Sequence, residues 1–222
     1  TAKVEKSRVE VSKSNYAVIW NWTTENSKLV EENAPAISKE LTALWEKGTV
    51  ENVYYDPQAT EDKFNNFPNI AFFIKAESRA KVESILNKLS VVKKSIARYS
   101  IHPVGTLWLR RNTKVINAQG ITNSYATVWT TSQSESLDDN LIKNQNDKIL
   151  DLWEEGKVEN VYFDIEGTAT ANEVTDFVLF VNANSQEEAE EICNSLPLVA
   201  NNMASYKMYP SGTFWMGRSV DQ

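Results

Sequence analysis

The sequence predicts an α+β fold in which two tandem βαββαβ units pack sheet against sheet. Three observations carry this. First, the chain is written twice: Leu44-Trp45-Glu46-Lys47-Gly48-Thr49-Val50-Glu51-Asn52-Val53-Tyr54-Tyr55-Asp56 returns as Leu152-Trp153-Glu154-Glu155-Gly156-Lys157-Val158-Glu159-Asn160-Val161-Tyr162-Phe163-Asp164, an offset of 108 residues. Second, the hydrophobic period in each copy alternates between two and about 3.6 residues, in the order strand, helix, strand, strand, helix, strand. Third, the strands carry apolar or aromatic residues on both faces, while two helices cover only one face of a sheet. The bare face requires a second sheet.

The repeat extends beyond its best phrase. Tyr16-Ala17-Val18-Ile19-Trp20 matches Tyr125-Ala126-Thr127-Val128-Trp129, and Tyr99, Pro103, Gly105, Thr106, Trp108 and Arg111 match Tyr206, Pro210, Gly212, Thr213, Trp215 and Arg218. This divides the chain into units at residues 13–111 and 123–222, joined by a polar linker at 112–122. Each first strand is β-branched and aromatic. The first helix aligns Ile37, Leu41, Leu44 and Trp45, with Pro35 near its start and Gly48 at its stop; its counterpart uses Leu137, Leu141, Ile149, Leu152 and Trp153 before Gly156. Third strands at 70–76 and 177–183 follow loops long for a hairpin. Second helices begin at the N-caps Ser78 and Ser185, with Glu188 completing a capping box in the later copy where Lys81 stands in the earlier. The last strands start at Ala97 and Ala204 and are interrupted at Pro103 and Pro210, which calls for an edge or a bulge.

Composition removes whole classes. With 41% hydrophobic and 24% charged residues the chain is of ordinary globular type, and a net charge of -7 offers no basic footprint for nucleic acid. Cys193 and His102 are the only residues of their kinds, so neither an intrachain disulfide nor a Cys/His zinc site can form. A carboxylate site for magnesium or calcium stays open. No apolar run approaches the roughly 20 residues of a membrane span. The chain begins at Thr1, which leaves a removed leader, and hence the compartment, undecided.

With the elements placed, the second unit resembles the muconolactone isomerase family of the dimeric α/β barrel superfamily, whose unit is ferredoxin-like. The resemblance lies in the turn Leu152, Gly156, Lys157, in the acidic helix start from Ser185 to Glu188, and in Leu196-Pro197-Leu198. The family's His-Pro near the last strand's end stands here as His102-Pro103 in the first unit and as Tyr209-Pro210 in the second. The resemblance implies proton transfer next to the carbonyl of a small lactone-like or aromatic-derived compound, without metal or organic cofactor. The same barrel also hosts monooxygenases, haem enzymes and plain binding proteins, so a non-catalytic small-molecule binder is the alternative. A haem reading would need His102 as its axial ligand. The internal pseudo-dimer implies a monomer with pseudo-two-fold symmetry.

Strand periodicity nominates the site. Asn52, Tyr54 and Asp56, with Asn160, Tyr162 and Asp164, should face the barrel interior, as should Trp20 and Trp129, while Ala17 and Ile19 suit the helices. Aromatic walls with a few polar groups suit a small-molecule ligand. Asp56, Asp164 and His102 are the candidate acid/base groups, His102 because its reference pKa lies nearest neutrality. Arg98 is a candidate clamp for a substrate carboxylate.

Overall fold

A computed structural model describes residues 14–55, 70–121, 123–131, 138–163 and 177–217. The first unit comprises β1 (Ser14–Trp22), α1 (Ser27–Glu46), β2 (Val50–Tyr55), β3 (Ile70–Ala76), α2 (Arg79–Leu86), α3 (Ser90–Lys93) and β4 (Ala97–Leu109). A short helix, α4 (Thr113–Gln119), lies in the segment read as a linker. The second unit repeats the order with β5 (Ser124–Thr131), α5 (Asp139–Glu154), β6 (Val158–Phe163), β7 (Phe177–Asn182), α6 (Gln186–Asn194), α7 (Pro197–Ala200) and β8 (Ala204–Met216). The expected dimeric α/β barrel is formed within one chain. None of the described helices is long and apolar enough to cross a membrane.

The eight strands close in the order β1-β3-β2-β8-β5-β7-β6-β4, every neighbouring pair antiparallel. Closure depends on the length of the last strand of each unit. Beyond Gly105, β4 leaves β1 and pairs with β6, Thr106 opposite Phe163; beyond Gly212, β8 pairs with β2, Thr213 opposite Tyr55. The strands run through their prolines, where interruption was expected. Pro103 and Pro210 sit beside register shifts, so each missing N–H falls at a bulge and costs no ladder bond.

The centre of the barrel is where the sheets meet. Tyr54 stacks on Phe180 at 3.8 Å and Tyr162 on Phe73 at 3.9 Å, all four rings buried. Asn52 Nδ2 donates to the Tyr162 hydroxyl oxygen at 2.5 Å, and Asn160 Nδ2 donates to that of Tyr54 at 2.6 Å, so each unit satisfies the other's phenol. Both asparagines adopt left-handed backbone, φ 50° and 46°, at a bulge in β2 and β6. Asparagine tolerates that conformation better than most residues. The extra residue is why Val50 and Val53 both face the helices while Tyr54 faces inward.

One expected orientation is reversed. Val18 and Trp20 pack under the helices of the first unit, and Trp129 under those of the second, whereas Ala17, Ile19, Ala126 and Val128 face the barrel. The reason is volume: β2, β3 and their counterparts already deliver four stacked rings to the centre, which leaves room for small residues from β1 and β5. Helix α1 also differs, starting at Ser27 with Asn26 as its cap and enclosing Pro35.

Tyr162→Phe strands the buried Asn52 amide, a loss of about 1–3 kcal/mol. The urea midpoint should fall accordingly. Tyr99→Phe, which removes an exposed bond to Asn87, should cost less than about 0.5 kcal/mol and leave the midpoint nearly unchanged.

Candidate functional site

Those residues nominated from the sequence that the structure describes do not meet in one place. Asn52, Tyr54, Asn160 and Tyr162 come together at the barrel centre, where the expected aromatic cavity is a packed, hydrogen-bonded core. Burial, then the neighbouring Glu159 carboxylate, holds the Tyr54 phenol well above its usual range, and burial does the same to Tyr162. Trp20 and Trp129 lie on the other side of their sheets; the Trp129 indole donates to Thr127 Oγ1 at 2.7 Å. Arg98 is exposed near the start of β4. His102 pairs across the ladder with Ala17, so it shares the barrel face, and its Nε2 is 3.2 Å from Ser100 Oγ. Asp56, Asp164, Leu137 and Arg218 lie outside the described residues. Cys193 is buried against the helix-side core, and burial pushes its thiol up.

Space for a ligand lies elsewhere. A cleft of about 600 Å³ opens between α1 and the seam of β2 with β8. Its apolar walls include Trp22, Val30 and Ile37 on one side and Ile70, Phe214 and Trp215 on the other; Glu31, Ser38 and Thr213 supply polar groups. Two local facts shape it. In the second unit Phe177 stacks on Trp129 at 5.0 Å and packs against Phe163 at 5.3 Å, filling the layer between helix and sheet. In the first unit Ile70 occupies the corresponding position, and the rings beside Trp20 are those of Trp22 and Phe72. Pro35, inside α1, has no N–H to give the Glu31 carbonyl one turn earlier, and both residues line the cleft. Sequence reasoning passed over these residues, although the exchange of Phe177 for Ile70 across the repeat was the available signal.

A second cavity, of about 660 Å³, lies at the end of the first unit and includes Asn52 in its wall. Among the described residues no group of three His, Cys, Asp or Glu is placed to hold a metal ion.

No protein-family model matches the sequence, and a comparison with curated proteins found no match. Solved structures are similar over nearly the whole chain. A point variant of chlorite dismutase from Candidatus Nitrospira defluvii is 9% identical, with a TM-score of 0.57 over 96% of this chain and 95% of that one. A double variant of the same protein, also 9% identical, reaches 0.58 over 92% of each chain. A haem-binding protein from Thermus thermophilus is 10% identical, with a TM-score of 0.52 over 92% of each. These neighbours correct the expectation of a cofactor-independent isomerase: they are chlorite dismutases and a haem-binding protein.

An axial ligand for haem is ordinarily His, Cys, Met or Tyr. Among the described residues neither cavity wall contains a His, Cys or Met, and His102 stands on the barrel face beside Ser100, so these two walls offer no histidine, thiolate or thioether to haem. In the cleft, Tyr55 leans on Trp215, ring centroids 5.9 Å apart. The architecture, a dimeric α/β barrel closed within one chain, is what the chain shares with these proteins.

Burial, then the cations Arg79 and Lys207, lowers the His102 pKa from 6.5 to about 4. As pH falls the unfolded imidazole takes its proton first, so this group's contribution is intact above about 6.5 and is lost progressively towards about 4. In thermal melts across that window, His102→Gln should lose less Tm than the parent. Parallel profiles would show that His102 is solvated.

Proposed function

We propose that the protein is a small-molecule-binding protein of the dimeric α/β barrel superfamily, and that its ligand has an apolar, ring-sized body seated between α1 and the β2–β8 seam. The observation that carries this reading is the exchange of Phe177 for Ile70: one copy sets an aromatic ring at this position, and the other an isoleucine that lines a cleft of about 600 Å³. Pockets of this size with apolar walls and a few polar groups are the usual form of small-molecule sites. Trp215, 37% exposed, offers its face at the cleft, and the Glu31 carbonyl, deprived of its helical donor by Pro35, is an acceptor that can fix a ligand's single hydroxyl or amine. The resemblance to the muconolactone isomerase family belongs, on this reading, to the scaffold and its turns.

The test is to fill the cleft from within. The neutral fluorophore N-phenylnaphthylamine should bind saturably to the parent and quench tryptophan emission. Ile70→Phe sets an aromatic ring in the cleft wall and should weaken that binding by about tenfold or more, a loss of about 1.4 kcal/mol, without lowering the melting temperature. Unchanged affinity in an Ile70→Phe protein that melts like the parent would remove the cleft as the site.

A further inference from the structure

The duplication permits a comparison of one place in two states. At the end of the second unit, α4 lies across the Gly156 turn: a Cβ built on Gly156 would stand 3.0 Å from the Val115 carbonyl oxygen, and Ile116 is buried beneath the helix. Arg111 Nη1 closes on both carboxylate oxygens of the fully buried Glu159, at 2.7 and 2.5 Å. Ser124 completes the network by donating to Asn182 Oδ1 at 2.6 Å. In the first unit the described residues leave the same place uncovered. Nothing described lies within 4 Å of a Cβ built on Gly48, and Trp45 is 37% exposed, while its counterpart Trp153 donates its indole N–H to the Arg110 carbonyl. Asn15 stands where Ser124 stands. It is 5% exposed, gives Nδ2 to the Gly105 carbonyl at 3.0 Å, and leaves Oδ1 without a partner.

We propose that this end cavity is a second binding site, for a neutral, hydroxyl-bearing small molecule with one apolar face, the chemistry of a sugar or cyclic polyol. The charge balance selects the class. Lys75 occupies the position of Asn182 and lies 2.9 Å from Glu51, so the carboxylate has its counter-ion within the unit. The wall's other charges, Glu46 and Arg110, are also of opposite sign. Among the described wall residues the charges balance, so a charged ligand meets no excess of either sign there, whereas hydroxyls can donate to Glu51 and accept from Lys75 without separating them. The buried Asn15 oxygen calls for a donor, because an acceptor left unmet costs about 1–3 kcal/mol. The exposed indole of Trp45 supplies the flat apolar surface for the ligand's other face. The polar and apolar requirements coincide at one cavity separate from the apolar cleft, so this site stands or falls independently of that one.

The test uses the full chain, titrated with glucose, galactose and myo-inositol under saturation-transfer NMR, with glucosamine and glucuronate as charged comparators. At least one neutral compound should bind saturably in the millimolar range or tighter. Trp45→Ala should weaken it about tenfold, the loss of one aromatic contact, with circular dichroism unchanged. Asn15→Leu should weaken it as well, and N-phenylnaphthylamine should remain bound to the cleft throughout. Failure of every neutral compound to bind, tighter binding of a charged comparator, an affinity indifferent to Trp45→Ala, or displacement of the fluorophore would each overturn the proposal.

Discussion

Each unit of this protein covers one face of its sheet with helices and leaves the other apolar, so neither sheet is complete until it meets its twin. The two hydrogen bonds from Asn52 to Tyr162 and from Asn160 to Tyr54 are where that meeting is specified. A purely apolar interface would accept several registers, whereas a buried phenol accepts only the one that supplies its partner. Much else is arranged around the pair. The bulges in β2 and β6 exist to carry an asparagine in left-handed conformation, the stacked rings fill the centre, and the small residues of β1 and β5 are the complement of those rings.

With the centre held symmetric, the periphery is free to differ. Among the described residues of the second unit, Phe177 packs in the layer under α5, and α4 with Arg111 covers the end of the unit. In the first, the described residues leave space under α1 and around Gly48. Both cavities are lined largely by residues of the first unit.

The repeat made the fold legible, because two copies of one pattern with uncovered sheets have few ways to pack. The inward face of β2 was legible too, since Val53 and Tyr54 differ in kind. The faces of β1 were not: Ala17, Val18, Ile19 and Trp20 are all apolar, and only the volume already committed by Phe73, Phe180 and the tyrosines decides which pair turns inward. The site was harder still. Recurrence drew attention to Trp20 and Trp129, yet both serve the core under the helices, and the cavities involve positions where the copies diverge, Ile70 against Phe177 and Lys75 against Asn182. His102 drew notice through its reference pKa, whereas burial and two nearby cations set its actual titration.

The central claim is that the two units form one cooperative structure locked through its middle. Native-state hydrogen exchange followed by mass spectrometry tests it most directly, by comparing the most protected amides of β3 with those of β7 in the parent and in Asn160→Ala. The account predicts a single opening free energy shared by both strands, and an equal fall in both when the bond to Tyr54 is removed. Different free energies for β3 and β7 in the parent, or a loss of protection confined to one unit in the variant, would contradict it.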